Sequence, residues 1–188
     1  MCFTLLHEED PTTGISIRSY SPSANETQVV ATCGHIFYDE SAFCIQQVLA
    51  YFSGANEANR TLLPARTTPA IIGGFFAGMG YYILEAYMTV SSNAFPNASA
   101  IPRPTQGQGP PKRLQPVGNH TVAVVQFNTT GAPTPQDFQA ACYSININTL
   151  PKGYSLDMDS NWYPAHVFYN GKGAVNFTSE CWMAVYPP

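Results

Sequence analysis

"TPQDFQAACYSI", residues 134–145, decides how this chain is read as a fold. Thr134 can cap a helix, Pro135 suits its first position, and Asp137 occupies the third position of a capping-box variant. Phe138, Ala141, Cys142 and Ile145 then recur at the spacing of one helical face. A helix therefore starts at Pro135. It follows the strand-like "NHTVAVVQFN" (119–128) and precedes two more strand-like runs, "YPAHVFYN" (163–170) and "ECWMAVYP" (180–187), separated by a glycine turn around Gly171 and Gly173.

The same order appears upstream. "ISIRSY" (15–20) and "TQVVATCGH" (27–35) alternate as strands do, and a helix comes next, capped by Asp39 or Ser41 and ended by Gly54. Cys44, Ile45, Val48, Leu49 and Phe52 form its apolar stripe. "SGANEANRTLLPARTTPAI" (53–71) connects that helix to the next strand, and "ARTTPAII" and "YYILEAYMTV" flank the glycines from Gly73 to Gly80. Between the two patterns, residues 95–118 hold six prolines and three of the eight basic residues, and read as a long surface loop.

One pattern used twice predicts an α+β fold. Two strand-helix-strand-strand halves, about 14–92 and 119–187, form a mixed or antiparallel curved sheet or distorted barrel with two packed helices. The 188 residues suit a single domain, 1–188, with the 95–118 loop joining its halves.

Charged residues make up only 11% of the chain, and the net charge of −4 offers no basic face for nucleic acid. Six Asn-X-Ser/Thr sequons, at Asn25, Asn59, Asn97, Asn119, Asn128 and Asn176, supply another source of solubility and point to a secreted glycoprotein. The most apolar stretch, Pro69 to Leu84, is shorter than the ~20 residues of a membrane helix and carries four glycines, so no transmembrane segment is expected. Cys2, Cys33, Cys44, Cys142 and Cys181 contain no CxxC pair, which favours disulfides over zinc. Strand-to-helix bridges Cys33–Cys44 and Cys142–Cys181 are geometrically sensible, although five cysteines leave other connectivities open. The odd thiol, Cys2 in that scheme, could join two chains as an oligomer.

These residues resemble the SOUL heme-binding proteins. "SIRSYSP" (16–22) resembles the family's opening Tyr-Glu-Val/Ile-Arg-x-Tyr-x-Pro strand, and "VLAYFSGANEANRTLLPARTTPAI" (48–71) its Tyr-Ile-x-Gly-x-Asn helix end and Met-Thr-x-Pro-Val strand. "HTVAVVQFNTTGAPTPQDFQAA" is similar to its Val-x-x-Phe-x-Gly strand and second helix, and "ECWMAVYPP" to its closing Glu-Val-Trp-Leu-Val strand. The resemblance implies a heme, another tetrapyrrole or a different flat hydrophobic ligand, with Ile45 and Leu49 as ring contacts on the first helix. Ala42 and Ala50 stand where some members carry basic residues, so Arg60, Arg66 or Lys112 would have to meet the propionates; Arg66 itself replaces the family's Met. Ser19 stands where some members have histidine, and serine does not replace imidazole on iron. Of the four histidines, His35 and His166 are the best placed to serve as a ligand, and none forms a helical metal pair.

No nucleophile elbow or phosphate-binding glycine loop is present, so an enzyme is not expected. Asp157 and Asp159 fall short of a calcium loop. The expected activity is binding of a hydrophobic small molecule. The alternative is an extracellular structural or protein-interaction subunit that has lost heme binding.

Overall fold

The structure is a computed structural model that describes residues 3–21, 26–35, 41–64, 70–78, 81–91, 95–107, 110–157, 164–169 and 175–188. It is α+β: the described residues form ten strands and two α-helices, with every registered strand pair antiparallel. The chain divides into two compact units, one made mainly of Pro22–Ile72 and Phe76–Gly118, the other of Cys2–Ser21, Gly73–Phe75 and Asn119–Pro188.

In the first unit, β3 (Thr27–His35) lies between β5 (Tyr81–Val90) and β6 (Lys112–Pro116); β4 (Ala70–Gly78), whose residues Gly73–Phe75 belong to the other unit, flanks β5. Helix α1 (Ser41–Phe52) buries Cys44, Val48, Tyr51 and Phe52. Its end is set locally. Gly54 takes a φ of +120°, which disfavours a side chain, and the buried Asn56 donates to the carbonyls of Tyr51 (2.9 Å) and Arg60 (2.8 Å). The stretch that begins at Ser53 is thus a hydrogen-bonded connection; residues 65–69 lie outside the described residues.

In the second unit the strand order is β1 (Phe3–His7), β2 (Ile15–Tyr20), β7 (His120–Thr130), β10 (Asn176–Tyr186) and β9 (Ala165–Phe168), with the two-residue β8 (Ser155–Leu156) also on β10. Helix α2 (Pro135–Ser144) starts as its sequence dictates: Asp137 N–H donates to Thr134 Oγ1, and Thr134 N–H donates back to Asp137 Oδ2 at 2.8 Å. Phe138, Ala141 and Cys142 are its buried face.

Three features depart from the sequence reading. The segment 95–118 is not loop throughout: it contains a 3-10 turn at Ala98–Ala100 and strand β6, whose Leu114 stands opposite Val29. Residues 73–78 belong to strand β4 rather than to a glycine turn. Strand β2 pairs with β7 instead of its sequence neighbour β3. The strands β3 and β7, each of which is followed by a helix, therefore take β6 and β2 as neighbours, and β6 lies just before β7 in sequence as β2 lies just before β3.

The bridges Cys33–Cys44 and Cys142–Cys181 are both at bonding distance, with Cα–Cα separations of 5.7 and 5.4 Å. Each ties a helix to the sheet of its own unit. Cys2 lies outside the described residues. No helix among the described residues is long and apolar enough to cross a membrane.

Candidate functional site

Alternation along a strand separates the two faces of each sheet. On β10, Ser179, Cys181 and Met183 share the face that carries α2, since Cys181 is bridged to Cys142. Glu180, Trp182 and Ala184 occupy the opposite face. There Glu180, 3% exposed, is met by three donors: Arg18 from β2 at 2.8 Å on Oε1, and the Tyr169 hydroxyl and Trp182 indole N–H, each at 2.6 Å on Oε2. A buried carboxylate is tolerable only when paired and hydrogen-bonded in this way.

Aromatic rings surround the pair. Tyr20 stacks on Trp182, with centroids 4.5 Å apart, and Phe3 lies against Tyr20 and beneath the Arg18 guanidinium at 4.8 Å. Burial pushes the Tyr20 phenol up to about 12, and burial together with the hydrogen bond to Glu180 raises that of Tyr169. The inner members are buried and the rim is open: Phe3 is 49% exposed and Tyr169 47%. Arg18 spends a terminal nitrogen on Glu180 and also interacts with the Tyr20 phenol, while its buried Nε has no hydrogen-bond partner among the described residues.

The first unit repeats the arrangement. Glu85 on β5 accepts from Thr32 on β3 (2.6 Å), from Arg113 on β6 (2.8 Å) and from Tyr87 two residues on. Burial raises the Glu85 pKa, but the bonds from Thr32, Tyr87 and Arg113 outweigh it and hold it below the usual value. This pair lies more open to water, since the Arg113 side chain is 46% exposed. The signal was in the sequence as "EAYM" (85–88) and "ECWM" (180–183): an acid, an aromatic two residues later, then methionine. Arg18 and Tyr20 stand in the "SIRSY" strand, but nothing in its local pattern shows that they face a residue 162 positions away.

The residues expected to form a site fare differently. On α1, Leu49 is exposed and Ile45 half-buried, so both lie off the Cys44, Val48, Tyr51 stripe. Arg66 is outside the described residues. Arg60 stacks over Phe95 at 5.6 Å, and Lys112 is buried in β6. His35 ends β3 opposite Ile83. His166 is a core residue: it pairs in register with Cys181 on the α2 side, stacks on Phe138 at 4.6 Å and 9°, and lies 3.7 Å from Phe168. Burial pushes its pKa down to about 3. No group of three metal-ligating side chains occurs among the described residues. Asp157 follows β8, its N–H bonded to the Ala184 carbonyl, and Asp159 is outside the described residues.

No protein-family model matches the chain, and no curated protein matches it. Solved structures do. The C-terminal domain of EcmrR is similar over 100% of both chains, with a TM-score of 0.60 and 11% identity. EcmrR in its complex with DNA is similar with a TM-score of 0.61 and 11% identity over 93% of this chain, which spans 57% of that one. At this identity the likeness shows the fold alone.

Proposed function

We propose that this chain is a secreted, SOUL-like glycoprotein that binds a flat hydrophobic ligand bearing an acceptor group, of which a tetrapyrrole with its carboxylates is one example. The observation that carries this reading is Arg18. A buried N–H without a partner is costly, and a ligand carboxylate that displaced the Phe3 ring from the guanidinium would relieve it. The Phe3 ring lies on Arg18 and the Tyr169 hydroxyl on Glu180, and both exposed rings offer apolar surface to a ligand. Because Glu180 already neutralises one side of Arg18, the ligand would be oriented by directed hydrogen bonds more than by net charge.

For heme itself, His166, held in its stack of phenylalanines on the other face, does not fit as an iron ligand. A bound tetrapyrrole would supply an apolar plane and carboxylate acceptors. Arg18, Phe3 and Tyr169 would hold them. Secretion is supported by the two intramolecular disulfides and by the exposure of all five described sequon asparagines, whereas Asn56, which is in no sequon, is buried.

The test is titration with hemin and with metal-free protoporphyrin, followed by absorbance and by tryptophan quenching. Both are expected to bind, and Arg18→Lys, which keeps the charge beside Glu180 but loses the fork of donors, should weaken both by about tenfold or more. Failure of both to bind, or undiminished binding by a folded Arg18→Lys, refutes the reading. The interaction-subunit alternative draws on a different feature: α1 has no charged residue and exposes Phe43 and Leu49. It predicts an assembly that Leu49→Arg disperses.

A further inference from the structure

Two sequons meet across one strand pair. Asn128-Thr129-Thr130 ends β7 and Asn176-Phe177-Thr178 begins β10, and the antiparallel register sets Asn128 opposite Thr178 and Asn176 opposite Thr130. Each asparagine thus faces the hydroxyl residue of the other's sequon. The Thr178 hydroxyl donates to Asn128 Oδ1 at 3.0 Å, which places both on one face and leaves Asn128 Nδ2, the atom that takes the sugar, outside that bond. Both asparagines are exposed. As diagonal neighbours they are about 7–8 Å apart, closer than two branched oligosaccharides can lie without touching.

We propose that Asn128 and Asn176 form a paired N-glycosylation site whose two glycans shield each other from trimming enzymes. In each transfer, Nδ2 forms a bond to the anomeric carbon of a polyprenyl-diphosphate-linked oligosaccharide. The bond from that carbon to the diphosphate oxygen breaks, the polyprenyl diphosphate leaves with the electron pair, and the amide gives up one proton. Transfer acts on the emerging chain, so the folded register does not decide occupancy. The register governs processing, because trimming enzymes meet the folded protein. Asn59, at a turn with φ +47°, and Asn119, just before β7, have no such partner in register among the described residues. Thr178 also sits two residues from Glu180 along β10, and its carbonyl accepts from the Tyr169 N–H, so the paired sugars border the rim of the aromatic cluster.

This inference rests on the secreted-glycoprotein reading, and one experiment separates the two. The full chain is secreted from cultured animal cells, and each site is mapped by intact-glycopeptide mass spectrometry. Expected are untrimmed, high-mannose glycans at Asn128 and Asn176, processed glycans at Asn59 and Asn119, and a shift of the Asn128 glycan to processed forms in Asn176→Gln. Thr178→Ser, which keeps sequon and hydroxyl, should leave the pattern unchanged. Processed glycans at both paired sites, an empty member of the pair, or an Asn128 profile unmoved by Asn176→Gln overturns the pairing. Absence of glycan at all six sequons overturns the glycoprotein reading, and the pairing with it.

Discussion

Lowering the pH from 7 to 5 is expected to destabilise this protein by about 2 kcal/mol through His166 alone. The ring lies among Phe127, Phe138 and Phe168, and burial lowers its pKa from 6.5 to about 3. The sign comes from proton uptake. Below pH 6.5 the unfolded chain binds a proton that the folded one refuses until about pH 3, so the stabilisation is complete above 6.5 and falls by roughly 1.4 kcal/mol per pH unit in that window. Urea unfolding with the disulfides intact would read this as a midpoint lowered by about 1 M at pH 5, given a slope of about 2 kcal/mol per molar. Carboxylates titrate in the same range, so the decisive comparison is with His166→Leu, which keeps apolar volume and cannot titrate. The variant should start less stable, having lost the ring stack, yet lose about 2 kcal/mol less than the wild type between pH 7 and 5. Parallel losses in the two proteins would show that His166 is not held neutral in the core, and would make it a candidate ligand again.

The two acid–arginine pairs should respond unequally. Glu180→Gln leaves a mostly buried guanidinium without its countercharge and should cost about 3 kcal/mol, whereas Glu85→Gln, beside the half-exposed Arg113, should cost about 1 kcal/mol or less; equal losses in urea melts would contradict the burial difference. The disulfides close loops of different length, with separations of 11 and 39 residues, so Cys142→Ala/Cys181→Ala should cost about 1 kcal/mol more than Cys33→Ala/Cys44→Ala, measured as unfolding midpoints of the two double variants. Thr134→Ala removes the cap of α2 and should cost about 1 kcal/mol, with Thr134→Ser retaining most of the stability.

Most of the fold's local punctuation was legible in the residues. The start of α2 was readable because a capping box is completed within four residues, and the end of α1 because Gly54 acts on its own turn. The stripes of both helices showed Cys44 and Cys142 facing inward, which made strand-to-helix bridges reasonable on helical spacing alone. The misleading signals were also local: the prolines of 95–118 mask β6, whose five residues form a strand only because β3 offers an edge. The ring-contact positions Ile45 and Leu49 carry apolar side chains, but no periodicity shows whether such residues meet a ligand, a partner or water.

The sequence by itself determined the two helices, the cap of α2, the alternation of most strands and the chemistry available at each position, because those depend on interactions three or four residues apart. Only the tertiary structure decided which strand lies beside which. Partner choice among strands of similar pattern rests on contacts between distant segments, and loop-closure entropy grows too slowly with separation to single out the near neighbour. That choice sent β2 to β7 and β6 to β3, brought Arg18 and Tyr20 to Glu180 and Trp182, and set two sequons face to face.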